Sequence, residues 1–145
     1  MASLMAYSVA KGQWGAEIIP KVELVTIGGL RAGNKAFADT INKAGFKETA
    51  RLVHSNDMVP HLPYSTSTAT YAHWRGEVFM SPFKHQWVTC NDRDLSVTPS
   101  ENCGFSFPST NLSLIAHAAY WSRLDYYNCP VRDQNETLGN EYLPT

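Results

Sequence analysis

Asp57 and His117 are the two side chains of this sequence whose types and settings favour acid–base chemistry. Asp57 lies two or three residues past a β-rich run, residues 49–54, in a loop that Pro60 and Pro63 stiffen. His117 lies in a stretch of small and apolar residues, at or near the start of a helical segment. Because a carboxylate can orient an imidazole as a general base, the pair predicts a proton-transfer site.

Each of these residues also has an ordinary structural interpretation. A loop Asp usually forms an Asx-turn or caps a helix, and a lone His in an apolar stretch is usually a hydrogen-bonded core residue. The order along the chain favours chemistry, since the α/β-hydrolase triad runs Ser, then Asp or Glu, then His. The acid and the base occur here in that order, but no G-x-S-x-G motif occurs to supply a serine nucleophile.

A strand–helix–strand pattern precedes the acid loop and would position it. Residues 22–27 form a β-branched run bounded by glycines, which predicts a largely buried strand. Asn34 begins a helical stretch with one apolar face, and Gly45 ends it. Together with residues 49–54 this pattern predicts a βαβ unit with parallel strands. Asp57 then follows the carboxyl end of a parallel strand, where functional groups of α/β proteins lie.

The remaining segments predict cover for this unit. Residues 1–10 form a helical pattern that is apolar on nearly every side, which is typical of a buried helix. No N-cap residue precedes them, so we expect this helix to continue an earlier segment of a longer protein. Residues 68–80 and 86–88 carry aromatic residues and an alternation that predict hairpin strands or irregular cover. A C-terminal helix carries His117.

Composition restricts the class of protein. A chain of 145 residues with 43% hydrophobic and 17% charged residues predicts one globular domain with a core. A net charge of -1 excludes a basic face for nucleic acid, and no apolar run approaches the roughly 18 residues that cross a bilayer. The three cysteines form no CxxC pair and keep no zinc-like spacing to histidine, so no metal or cofactor is predicted. With two N-x-[ST] sequons, at Asn111 and Asn135, they favour secretion.

Five ordered segments resemble the fungal class 3 lipases and their relatives, the type A feruloyl esterases. Residues 25–39 resemble the family's strand and turn, written FGSPRVGNxxFAD, and residues 53–63 resemble its acid loop. Residues 71–79 resemble the segment YxHxGxEVW, residues 90–103 a short disulfide-closed loop, and residues 117–121 the segment HLxYF. The resemblance covers almost the whole chain. It implies that residues 1–145 form the C-terminal half of an α/β-hydrolase domain, without the nucleophile elbow.

The resemblance implies a serine carboxylic-ester hydrolase that acts on lipid or other esters. Asp57 would be the acid and His117 the base of its triad. Three apolar residues would line the acyl groove, with plain core packing as the alternative: Val59, Leu62 and Ile115. The nucleophile, the lid and the oxyanion donors would lie upstream.

The resemblance also implies that Cys90 pairs with Cys103, and that Cys129 is unpaired in this chain. It further implies secretion and contact with a lipid interface. Three alternatives remain open: a catalytically inactive truncated product or pseudoenzyme, since the nucleophile motif is missing; a feruloyl-esterase-type parent; and a small secreted binding module that uses exposed aromatic residues.

Overall fold

The computed structural model describes residues 1–64, 66–81, 86–90, 103–104 and 109–120. Its helices are α1 (Ala2–Ala10), α2 (Lys35–Lys43) and α3 (Leu114–His117), and its strands are β1 (Glu23–Ile27), β2 (Glu48–His54), β3 (Glu77–Ser81) and β4 (Gln86–Thr89). None of the helices in these ranges has the length and apolarity to cross a membrane. Cys129, predicted to be unpaired, and the sequon at Asn135 lie outside the described residues.

One four-stranded sheet, in the order β1–β2–β3–β4, organises the described residues. β1, β2 and β3 are parallel, and β4 is antiparallel to β3. The helix α2 connects β1 to β2, so the predicted βαβ unit and the α/β class are confirmed. Within this sheet β1 is an edge strand, and β2, which leads to the acid loop, is a central one.

Both ends of α2 follow from its sequence. The side chain of Asn34 accepts a hydrogen bond from the Phe37 backbone N–H at 3.0 Å, which satisfies one of the unpaired donors of the first turn. Gly45, with φ of +82°, follows the helix in the left-handed conformation that glycine adopts without steric cost. Ala38 and Ile41 are the buried residues of α2, and they pack in one cluster with Leu24 of β1.

The core of the described residues consists of two apolar clusters. The first joins α1, α2 and β1 and contains Ala6, Leu24, Ala38, Ile41 and Trp74. The second joins β2 and β3 to a disulfide and contains Val53, Phe79, Cys90 and Cys103. The disulfide confirms the predicted pairing, with 6.3 Å between its Cα atoms. Closing a loop of this length stabilises the fold by about 3 kcal/mol in the chain-entropy treatment.

The expectation that α1 and β1 are largely buried is wrong for the described residues. Leu4 and Met5 of α1 are each 52% exposed, and Val25 and Ile27 of β1 are 51% and 48% exposed. The reason is that α1 packs on α2 and β1 with one side only, which buries Ala6 and Val9. The four exposed residues, Leu4 and Met5 of α1 with Val25 and Ile27 of β1, are called the α1–β1 apolar patch below.

Candidate active site

Asp57 lies in the loop after the carboxyl end of β2, where its side chain is 0% exposed. One carboxylate oxygen, Oδ1, accepts a hydrogen bond from the Val59 backbone N–H at 2.8 Å. This is the bond of an Asx-turn, so the ordinary interpretation of Asp57 holds for one of its two oxygens. The other oxygen, Oδ2, is left for partners outside the loop.

His117 is one of those partners. Its Nδ1 donates a hydrogen bond to Oδ2 of Asp57 at 2.9 Å, within the distance expected for an acid and base that orient each other. The His117 side chain is 40% exposed whereas that of Asp57 is fully buried. Within the described residues the ring makes no hydrogen bond through Nε2, so this nitrogen is available to take a proton. The structure thus brings together two residues that are sixty positions apart.

Backbone hydrogen bonds hold α3 against the acid loop. Ser113 N–H donates to the Asn56 carbonyl at 2.8 Å, and Met58 N–H donates to the Ser113 carbonyl at 3.2 Å. The Ser113 hydroxyl also caps α3 by accepting from the Ile115 N–H at 3.1 Å. Because Ser113 is both the cap of α3 and the partner of this loop, the position of His117 relative to Asp57 is set by main-chain contacts.

Tyr120 is a third member of the site that the sequence analysis did not identify. Its hydroxyl donates to Oδ2 of Asp57 at 2.6 Å, and its ring meets that of His117 edge-on. Burial, together with the hydrogen bond to Asp57, raises the pKa of Tyr120, so the phenol keeps its proton and remains a donor. In the sequence it was visible only as the tyrosine of the lipase-like segment 117–121.

Gly28 lies directly against the imidazole. Its φ is +56°, and a Cβ placed on it would lie 2.6 Å from Cε1 and 2.7 Å from Nδ1 of His117. A side chain of any size at this position would therefore push the ring away from Asp57. The glycine allows β1 to end beside the acid–base pair.

Gly28→Ala and Gly45→Ala form a matched pair that tests this contact. Both positions have positive φ, so both alanines should lower the free energy of unfolding, by about 1–2 kcal/mol, in a urea titration. Only at Gly28 does the new Cβ meet His117, since nothing lies within 4 Å of one at Gly45. We therefore expect the NMR signal of the His117 Nδ1–H to shift or broaden in Gly28→Ala alone; equal spectra in the two variants would contradict the assignment.

The three residues predicted to line an acyl groove differ in how far they are exposed. Val59 and Leu62 are half-buried in the acid loop, and Ile115 is 82% exposed on α3. A separate open concavity of about 590 Å³ borders the turn after β1, and these three residues do not line it. Their role as the wall of an acyl groove therefore stays a prediction.

The described residues contain one cluster of side chains with metal-ligand chemistry, Glu77 with Cys90 and Cys103. The two sulfurs are joined in the disulfide, so neither is a thiolate that could bind a metal ion. Glu77 is instead occupied by Arg51 and by the backbone of Gly104. The cluster is a structural cross-link.

Comparison with known families gives one match: residues 1–67 match the model of the lipase (class 3) family. No curated protein matches the sequence. Among solved structures, lipase II from Rhizopus niveus is 25% identical with a TM-score of 0.64, over 79% of this chain and 40% of that one. The triacylglyceride lipase of Rhizomucor miehei is 26% identical with a TM-score of 0.64, over 81% of this chain and 42% of that one.

A third solved structure is a triacylglycerol lipase with a catalytic centre described as a serine protease triad. It is 28% identical with a TM-score of 0.51, over 64% of this chain and 32% of that one. The sheet and its helices therefore have the α/β-hydrolase fold of the fungal lipases. The chain spans about two-fifths of the length of the first two lipases that it matches.

Proposed function

We propose that this chain carries the acid and the base of a secreted serine carboxylic-ester hydrolase that acts on lipid esters. The match of residues 1–67 to the lipase (class 3) family model and the similarity to the two fungal lipases support this proposal. Asp57 is the acid and His117 the base. The observation that carries this proposal is the 2.9 Å hydrogen bond from His117 Nδ1 to the buried carboxylate of Asp57. Two unrelated residues sixty positions apart in the sequence would rarely be in contact.

The proposed reaction transfers an acyl group from an ester to a serine and then to water. We also propose that residues 1–145 are the C-terminal part of a larger domain, so that a segment outside this sequence supplies the serine. His117 Nε2 takes the proton of the serine as its oxygen attacks the ester carbonyl, and returns it to the departing alcohol. Water then attacks the acyl-serine while His117 takes its proton, and His117 returns this proton to the serine oxygen as the carboxylic acid product leaves.

Asp57 supports both steps from behind the ring. Its Oδ2 accepts the Nδ1 proton of His117, which fixes the tautomer that leaves Nε2 unprotonated. When His117 gains the serine proton, the carboxylate stabilises the resulting imidazolium. The hydrogen bonds from Val59 N–H and the Tyr120 hydroxyl hold the carboxylate in place behind the ring.

Two further features support the secreted and lipid-directed parts of the proposal. The disulfide between Cys90 and Cys103 is typical of proteins in oxidising compartments. The α1–β1 apolar patch and the exposed side chains of Leu114 and Ile115 offer apolar surface to a lipid interface. A feruloyl ester would instead require hydrogen-bond donors around its aromatic ring, and no observation favours that substrate.

One observation favours a second candidate, a product without activity of its own: no G-x-S-x-G motif occurs in this sequence. We therefore expect the 145-residue chain alone to hydrolyse nitrophenyl butyrate no faster than background. The experiment is to read the transcript upstream of residue 1 and to express the longest in-frame chain. That chain should contain G-x-S-x-G, hydrolyse short-chain nitrophenyl esters and triacylglycerol, and lose both activities with His117→Ala.

The opposite results decide against the proposal. A longest chain without a serine motif would support the inactive product. Hydrolysis that survives His117→Ala would show that another residue is the base. Turnover of methyl ferulate in preference to triacylglycerol would move the substrate from lipid to aromatic esters.

A further inference from the structure

His61 lies beneath the acid loop, in the 3-10 turn Val59–His61, and its side chain is buried. Its ring nitrogens face two main-chain carbonyls from distant parts of the chain. Nδ1 lies 2.9 Å from the Asp57 carbonyl oxygen, and Nε2 lies 3.0 Å from the carbonyl oxygen of Gly104. Gly104 follows Cys103, so this ring connects the acid loop to the disulfide.

The chemistry of these partners determines how many protons the ring carries. A carbonyl oxygen accepts hydrogen bonds and cannot donate, whereas a neutral imidazole has one donor nitrogen and one acceptor nitrogen. A neutral His61 would therefore place a lone pair against one of the two carbonyls at hydrogen-bond distance, which is unfavourable for a buried group. Both contacts are hydrogen bonds only when both nitrogens carry protons, that is, when His61 is a cation.

His73, in the segment before β3, shows the contrast. It makes one ring hydrogen bond, from Nε2 to the Pro60 carbonyl at 2.7 Å, and a neutral ring satisfies this contact. Burial, followed by the charge of Arg51, holds the pKa of His73 well below its usual range, and charge on His61 acts in the same direction. The two histidines thus differ in what their contacts require: the contact of His73 needs one ring proton, whereas the two contacts of His61 need two.

We propose that His61 is a positioning residue for the acid–base pair: a buried imidazolium whose two N–H groups join the Asp57 carbonyl to the Gly104 carbonyl and so hold the acid in place. The inference that the ring carries two protons is drawn from its two carbonyl contacts and does not depend on the proposed function. The effect on catalysis rests on the proposed function, because it acts through Asp57.

The charged groups around His61 act in both directions, because nearby carboxylates favour a cation whereas nearby guanidinium groups disfavour it. The titratable and charged groups on the elements packed around it are two carboxylates, two guanidinium groups and a neutral imidazole: Asp57, Glu77, Arg31, Arg51 and His73. The carboxylate of Glu77 accepts from the Gly104 N–H at 2.7 Å, so the residue that His61 holds is also held by an anion. Arg31 donates to the backbone carbonyls of His61 and Pro63 rather than to the ring.

The first test is ¹⁵N NMR of the 145-residue chain with labelled histidine at about neutral pH. We expect both ring nitrogens of His61 to have the chemical shifts of protonated nitrogens, each coupled to its own hydrogen, while His73 shows one protonated and one bare nitrogen. A bare nitrogen on His61 would overturn the proposal. This measurement needs no activity and no variant, so its outcome is independent of whether the chain belongs to an ester hydrolase.

The second test compares His61→Gln with His73→Gln. Glutamine retains one donor group, enough for the single bond of His73 but not for the two divergent bonds of His61. We expect His61→Gln to shift or remove the Nδ1–H signal of His117, and His73→Gln to leave it in place. In the longest in-frame chain, His61→Gln should lower kcat at least tenfold with little change in KM. An unchanged His117 signal in a folded His61→Gln chain would show that His61 does not position Asp57.

Discussion

Replacing Asp57 by Asn should lower kcat of the longest in-frame chain by roughly 10⁴-fold, with the fold intact. The reason lies in how the two oxygens of Asp57 are used. Because the Val59 N–H donates to Oδ1, the amide introduced by Asp57→Asn keeps its oxygen on that side and turns its NH₂ group towards His117. The NH₂ group then donates to Nδ1, which forces the proton onto Nε2, and His117 can no longer take a proton from the serine.

Tyr120→Phe provides the graded comparison for this prediction. It removes one hydrogen bond to Oδ2 but leaves the carboxylate and the bond from His117 in place. We expect a loss of about tenfold, in keeping with one hydrogen bond to a charged group. The measurement is kcat and KM for a nitrophenyl ester, with circular dichroism to show that each variant is folded. An Asp57→Asn variant with a kcat close to that of the wild type would remove Asp57 from the proposed triad.

Glu77→Leu should lower the free energy of unfolding by about 3–5 kcal/mol, the largest stability effect that we expect in the described residues. Arg51 Nη2 lies 3.0 Å from Glu77 Oε2, and both side chains are 5% exposed. The variant leaves the guanidinium buried without its counter-ion, although Arg51 Nε still donates to the Trp74 carbonyl. A urea titration of the purified chain measures the loss.

Two controls separate the buried charge from the loss of a contact. The pair of Lys47 and Glu23 has a shorter N–O distance, 2.6 Å, but its side chains are 63% and 54% exposed. Glu23→Leu should therefore change the free energy of unfolding by no more than the scatter between replicates, because water screens an exposed pair. The double variant Arg51→Met with Glu77→Leu should recover much of the stability lost by Glu77→Leu alone. A double variant no more stable than the single one would show that shape, and not charge, is responsible.

The local elements around the site could be predicted from the sequence because their causes lie within a few residues. Asn34 and Gly45 determine the ends of α2, through a cap and a left-handed residue. The β-branched runs determine β1 and β2, and the crossover between them makes those strands parallel. The position of Asp57 just beyond β2 follows from the same pattern, and so does its use of one oxygen in an Asx-turn.

The predicted burial of α1 and β1 failed because it depends on neighbours rather than on pattern. An apolar helix or strand is buried only where another element covers it. Among the described residues α1 packs on α2 and β1 with one side only, which leaves Leu4 of α1 and Ile27 of β1 about half exposed. The periodicity of residues 1–10 contains no information about which side that is.

The sequence by itself determined the kinds of element, the order of Asp57 and His117, and, through its resemblance to class 3 lipases, the pairing of Cys90 with Cys103. Only the tertiary structure decided that Tyr120 shares an oxygen of Asp57 with His117, and that His61 joins the Asp57 loop to the disulfide. The physical reason is the range of the interactions. Helix caps, turns and strand patterns act between near neighbours, whereas these hydrogen bonds join residues 63 and 43 positions apart, whose meeting depends on how the whole sheet packs.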